Sequence, residues 1–227
     1  MHDSLGCVAL WRDFPAQLAQ ATARVVYAYD RLGFGLSDAS TQPLAHSFVI
    51  TEAEQTFKAV LDYFSIQNFI ILGHSMGGGM SVVIAAAYPE RCQGLISISA
   101  QYAVEALTLK GISEAKVGFQ QAGQMERLEK YHPEKAQWVL DGWTETWLSP
   151  AFQDWNLARV IDGVCCPTLI IHGELDEYGS TGQPQQMFEG VSGQAELHIL
   201  EGLHHMPHKE QPELVVALIA EFHQVHC

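Results

Sequence analysis

A serine with a glycine two residues to either side, Gly73-His74-Ser75-Met76-Gly77, follows the apolar run Phe69-Ile70-Ile71-Leu72 and precedes the small-residue stretch from Gly78. Strand, then G-x-S-x-G, then helix holds a serine on a tight turn where larger residues at the glycine positions would collide. The turn lifts the hydroxyl clear of the sheet. It also puts the Met76 N–H at a helix start, where it can donate to a developing oxyanion. The chemistry this suits is nucleophilic acyl transfer; the plainer reading is a Gly-rich turn carrying an idle serine. A serine hydroxyl is a poor nucleophile near neutral pH, so a histidine base and an orienting carboxylate must come from elsewhere in the chain. Leu169-Ile170-Ile171-His172-Gly173-Glu174-Leu175-Asp176-Glu177 offers carboxylates beyond a late strand, and His198 to His205 ends in two adjacent imidazoles, His204 and His205.

The elements that must position these groups alternate. Arg24 to Tyr29, Phe69 to Leu72, Gly94 to Ser99, Thr168 to His172 and Glu196 to Leu200 read as strands. Thr51 to Phe64, Ser75 to Tyr88 and Pro212 to His223 read as helices. Such alternation predicts a parallel sheet with helices on both faces. The stretch 101–161 breaks the rhythm: it lacks β-branched runs and holds Trp138, Trp143, Trp147 and Trp155. Leu140, Trp143 and Trp147 recur at helical spacing, which suits a packing stripe, an aromatic cover over a pocket, or both. The expected division is therefore a core of residues 1–100 and 162–227 with a helical lid at 101–161.

Composition narrows the class. A chain of 227 residues, 48% hydrophobic and 17% charged, has the balance of a globular protein with one sizeable core. The net charge of −14 repels phosphate backbones and anionic membrane surfaces, so neither nucleic acid nor membrane is an expected partner. The opening Met1-His2-Asp3-Ser4 has no basic flank or apolar stretch, which makes the cytoplasm the expected compartment. Five cysteines without C-x-x-C spacing and scattered histidines give no expectation of a disulfide framework or a metal.

Four segments together resemble the α/β-hydrolase superfamily, in the branch of small lidded esterases that also holds carbon–carbon bond hydrolases of aromatic degradation. They are Asp30-Arg31-Leu32-Gly33-Phe34-Gly35-Leu36-Ser37, the serine turn, His172-Gly173-Glu174-Leu175-Asp176, and His205-Met206-Pro207-His208-Lys209-Glu210-Gln211-Pro212. The resemblance implies Ser75 as nucleophile, Asp176 as acid and His205 as base, with His204 the rival base and Glu174 and Glu177 the rival acids. It implies His74 as a support of the site. The family's second oxyanion donor follows a His-Gly pair, here His2-Asp3, so Ser4 is expected to donate beside Met76, with the Asp3 carboxylate turned away from the oxyanion and holding the loop by hydrogen bonds. Trp143 and Trp147 are expected to line the substrate pocket.

Relatives also carry three strands ahead of this His-Gly position, the third lying between the fourth and fifth in the sheet. The chain begins after them, which predicts a product truncated at its N-terminus and a central gap with unpaired backbone. The implied activity is hydrolysis of a small carboxylic ester or related carbonyl compound through an acyl-enzyme, without cofactor or metal. The alternatives are carbon–carbon hydrolysis of aromatic ring-cleavage products, for which relatives often carry Trp where this chain has Met206, and a non-catalytic ligand-binding member of the fold.

Overall fold

A computed structural model describes all residues from 1 to 227. Four parallel strands lie in the order of the sequence: β1 (Phe69–His74), β2 (Cys92–Ile98), β3 (Thr168–Gly173) and β4 (Ala195–Leu200). Side chains alternate across the pleat, so each strand feeds both faces. Leu95 and Ile170 join the core on one side, and Ile96, Ile98, Leu169 and Ile171 join that on the other.

The first face is covered by α4 (Met76–Ala87), buried from Met76 to Ala85, as suits a helix of small and apolar residues pressed on a sheet. Beside it run α2 (Phe48–Thr51), a π-helical turn (Glu52–Thr56) and α3 (Phe57–Tyr63), where the sequence predicts a single helix. The second face is covered by α1 (Phe14–Thr22) and by α10 (Pro212–His226), which buries Val215, Ile219 and Phe222. Each such side chain withdrawn from water contributes about 1.5–3 kcal/mol.

Between β2 and β3 the chain builds α5 (Ala106–Gly118), α6 (Gln124–Glu129) and α7 (Ala136–Leu148). An antiparallel bridge between Ala103 and Asn156 pins the neck of this insertion. Thr108 on α5 donates to the Tyr178 carbonyl at 2.7 Å, which ties the layer to the loop after β3. Two further helices, α8 (Gly182–Gly190) and α9 (Pro207–Glu210), flank β4 in sequence.

One expected strand is absent. Arg24 to Tyr29 is extended in composition but belongs to no sheet, and the main chain of Val25 to Tyr29 makes no backbone hydrogen bond. A groove of about 520 Å³ separates it from β1, lined by Val25, Tyr27, Leu61, Ile70, Leu72 and Ile219 among others. β-Branched residues favour an extended chain, but a strand exists only where a neighbour takes its N–H and C=O groups. β1 is accordingly an edge strand, and only Met1 hydrogen-bonds its outer main chain: the Met1 amine donates to Leu72 O and the His74 N–H donates to Met1 O at 3.1 Å.

Candidate active site

Ser75 sits between the last residue of β1 and the first of α4 with φ 55° and ψ −125°, a left-handed conformation that costs a non-glycine residue backbone strain. The flanking glycines make the turn possible. A Cβ on Gly73 would lie 2.1 Å from Gly77 O, and one on Gly77 would lie 2.3 Å from Met1 O and 2.5 Å from His2 O. The turn therefore packs main chain against main chain on both sides. The Met76 N–H heads α4 without a hydrogen-bond partner in the protein, and so does the Ser4 N–H in the loop that follows Met1. Both are donors left over for another molecule.

The loops after β3 and β4 bring two more groups to the serine. His205 Nε2 lies 2.9 Å from Ser75 Oγ, and His205 Nδ1 lies 2.8 Å and 2.9 Å from the two carboxylate oxygens of Asp176. All three residues are buried. Asp176 is further held by the N–H groups of Tyr178 at 2.8 Å and Gly179 at 3.1 Å, and His172 Nε2 lies 3.6 Å away. Burial alone pushes the Asp176 carboxyl up; the hydrogen bond and charge of His205, then His172 and the Tyr178 N–H, outweigh it and hold the group below its ordinary value. The arrangement can take a proton from the hydroxyl onto an imidazole whose other nitrogen faces a buried carboxylate.

The rival residues point elsewhere. His204 is exposed and pairs with Glu210 at 3.3 Å. Glu174 accepts from the Gly202 N–H at 3.1 Å, and Glu177 from the His205 N–H at 3.3 Å, so both brace the loop that carries His205. Gln101 Oε1 lies 3.4 Å from Ser75 Oγ, and the Tyr178 ring packs 4.9 Å from that of His205. Neither residue carries a motif in the sequence; only the approach of separate loops brings them in.

Ser4, Trp143 and Trp147 meet around a cavity of about 10 Å³, which Phe34 and Phe48 also line. Trp143 is half-buried and leans on Tyr178, whereas Trp147 is 2% exposed and packed edge-on against Phe152 and Trp155. Asp3 holds its loop through its side chain, as expected. Its Oδ1 accepts the Leu5 N–H at 2.9 Å and its Oδ2 lies 3.4 Å from His74 Nδ1. Burial pushes its carboxyl up, yet His74 beside it dominates and holds it well below the usual carboxylate range. No three His, Cys, Asp or Glu side chains converge in a way that would hold a metal ion. No helix is long and apolar enough to cross a membrane.

The buried imidazoles set an acid limit. Burial, then the charges of His74 and Lys209, pull His208 down to about 2, and burial first of all also lowers His2 and His74. Below the ordinary value of 6.5 the unfolded chain binds protons that these folded imidazoles refuse, so stability falls as pH falls from about 6.5 toward 2. His208 alone is expected to remove about 1 kcal/mol per pH unit across that window. Urea midpoints measured at pH 7.5 and pH 5.0 check it; equal midpoints contradict the buried neutral imidazoles.

Residues 4–139, more than half of the chain, match a family model described as the alpha/beta hydrolase fold. Among curated proteins, the (lyso)-N-acylphosphatidylethanolamine lipase of Bos taurus is 31% identical over 98 residues, covering 43% of this chain and 28% of the relative. The monoglyceride lipase of Rattus norvegicus is 25% identical over 91% of this chain and 74% of the relative. The first of these matches thus spans little more than a quarter of the relative's length. Among solved structures, the proline iminopeptidase of Mycobacterium smegmatis superposes with a TM-score of 0.76 at 20% identity, covering all of this chain and 88% of that one. The four-stranded parallel sheet with helices on both faces, the strand-to-helix turn at Ser75 and the family match together make this chain a member of the α/β-hydrolase fold family.

Proposed function

We propose that the protein is a serine hydrolase that cleaves a small carboxylic ester through an acyl-enzyme. The observation that carries this reading is the line from Ser75 Oγ through His205 to the Asp176 carboxylate, with contacts of 2.9 Å and 2.8 Å. His205 takes the Ser75 proton as Oγ attacks the substrate carbonyl, and Asp176 steadies the resulting imidazolium. The oxyanion is met by the unpartnered N–H groups of Met76 and Ser4, each such donor being worth about 10²–10³ in rate. The same imidazolium then protonates the leaving alcohol, and water releases the acyl group by the reverse sequence. The lipase names of two relatives support an ester as substrate.

In this reading 1–100 and 162–227 form the catalytic core and 101–161 the lid. Trp143 and Trp147 form the acyl wall, with Trp147 acting mainly by holding Trp155 and Phe152 in place. Replacing Trp143 with alanine is therefore expected to shift the preferred p-nitrophenyl ester toward longer acyl chains. An unchanged chain-length profile removes Trp143 from the pocket. The reading as a whole is tested by a fluorophosphonate probe followed by peptide mass mapping: label on Ser75 is expected. Folded protein that stays unlabelled favours a ligand-binding member of the family without catalysis.

A further inference from the structure

His132 stands between α6 and α7 in the insertion, far in sequence from the serine turn, and is buried. Its two ring nitrogens have unlike partners. The Gly35 N–H donates to Nδ1 at 2.8 Å, so Nδ1 is an acceptor and carries no proton. Nε2 lies 2.9 Å from the Leu5 carbonyl oxygen, which can only accept, so Nε2 carries the proton and donates it. One neutral tautomer thus satisfies both contacts, and burial first of all pulls the pKa of the ring down and favours that neutral form. The ring is carried on a fixed frame: the His132 N–H donates to Leu128 O at 3.1 Å, and the His132 carbonyl accepts the Lys135 N–H at 2.9 Å.

Leu5 is the neighbour of Ser4 in a tight turn. The Gly6 N–H closes that turn onto Asp3 O at 3.2 Å, which leaves Ser4 and Leu5 at its centre, and Arg31 Nη2 donates to the same Asp3 O at 2.9 Å. Arg31 therefore grips the turn at its first carbonyl and His132 at its third. The Leu5 side chain packs on the same part of the insertion, against Leu128 of α6 and Ala136 and Leu140 of α7. We propose that His132 is a positioning residue: through the Leu5 carbonyl it sets where the Ser4 N–H points, so that the insertion completes the oxyanion site. The proposal rests on the serine-hydrolase reading for its kinetic arm only.

Three substitutions separate the two ring nitrogens. In His132→Gln the amide nitrogen falls where Nε2 stood and donates to Leu5 O, while nothing accepts from Gly35. In His132→Asn the amide oxygen falls where Nδ1 stood and accepts from Gly35, while nothing reaches Leu5. His132→Phe keeps a ring and loses both bonds. With kcat counted per Ser75 titrated by fluorophosphonate, His132→Phe and His132→Asn are expected to lose about 10- to 100-fold in kcat, short of the about 10²–10³ for removing an oxyanion donor outright. His132→Gln is expected to stay within about threefold of the parent. KM is expected to stay within about twofold in all three, because the oxyanion forms only in the transition state. A role in stability alone would change the amount of folded protein and not this order.

A readout independent of turnover is amide hydrogen exchange at Gly6, whose N–H closes the turn. Exchange there is expected to quicken about tenfold in His132→Phe and His132→Asn and to stay at the parental rate in His132→Gln. Parental kcat or parental Gly6 exchange in His132→Phe overturns the proposal, and so does equal kcat in His132→Gln and His132→Asn. Should His132→Phe not fold, the comparison of the other two variants decides. A parent protein that neither labels at Ser75 nor turns over ester sinks the hydrolase reading instead, while Gly6 exchange still decides whether His132 holds the turn.

Discussion

Ser75→Ala is expected to abolish ester hydrolysis, lowering kcat by about 10⁴-fold or more while leaving the fold intact. The magnitude follows from losing the nucleophile of a unit whose members act together, with only binding and oxyanion donors left. The fold should survive because the lost hydroxyl reaches only His205 and Gln101, neither of which holds the turn. The alanine must still adopt the left-handed backbone of the turn, but so does the serine it replaces, and the strain is unchanged. The measurement is turnover of p-nitrophenyl acetate with thermal unfolding as control. Residual turnover within tenfold of the parent places the chemistry on another residue.

Gly73→Ala is expected to fail in the opposite way, through structure first. Its methyl group would meet Gly77 O at 2.1 Å, the Gly77 carbonyl carbon at 2.3 Å and Ser81 Oγ at 2.5 Å. Main-chain atoms at a helix start cannot swing aside like the end of a long side chain, so β1 and α4 must separate. We expect a loss of about 3 kcal/mol or more in urea unfolding, with loss of fluorophosphonate labelling in whatever remains folded. Gly77→Ala has a different victim: its methyl group would press on Met1 O and His2 O and displace the loop bearing Ser4. Gly73→Ala of parental stability and labelling contradicts the close approach.

Most of the fold could be read from the chain because its signals are local. The apolar run at Thr168–Gly173 is a strand buried on both faces, that at Phe69–His74 a strand whose Ile70 and Leu72 stay half-buried beside the groove, and α4 follows from a continuous run of small and apolar residues. Arg24 to Tyr29 shows where local signals stop. Its composition is that of a strand, but pairing is a property of neighbours, and none lies within reach of its main chain. The π-helical turn between α2 and α3 likewise has no mark in the apolar spacing, which is nearly the same for either helix.

The candidate site divides in the same manner. Ser75 has a motif because its turn imposes steric demands on adjacent residues, and Asp176 and His205 follow strands whose ends lie together. Gln101, Tyr178 and the facing of Asp3 with His74 depend on loops far apart in sequence, so no spacing announces them. Asp3 is instructive. From the chain alone its carboxylate is expected to turn from the oxyanion and hold the loop, and the Leu5 N–H bond agrees; its approach to His74 has no mark in the spacing.

The groove between β1 and the Arg24–Tyr29 segment divides the molecule into two unequal mechanical parts. Ser75, Asp176 and His205 belong to one continuous slab stitched by strand pairing, whereas Ser4 and Asp3 belong to a segment held to that slab by Met1 at the edge of β1 and by α1 packed beside α10. Across the open edge of β1 the main chain is joined at Met1 alone, so the seat of the Ser4 loop depends on side-chain packing where a strand ladder would otherwise hold it.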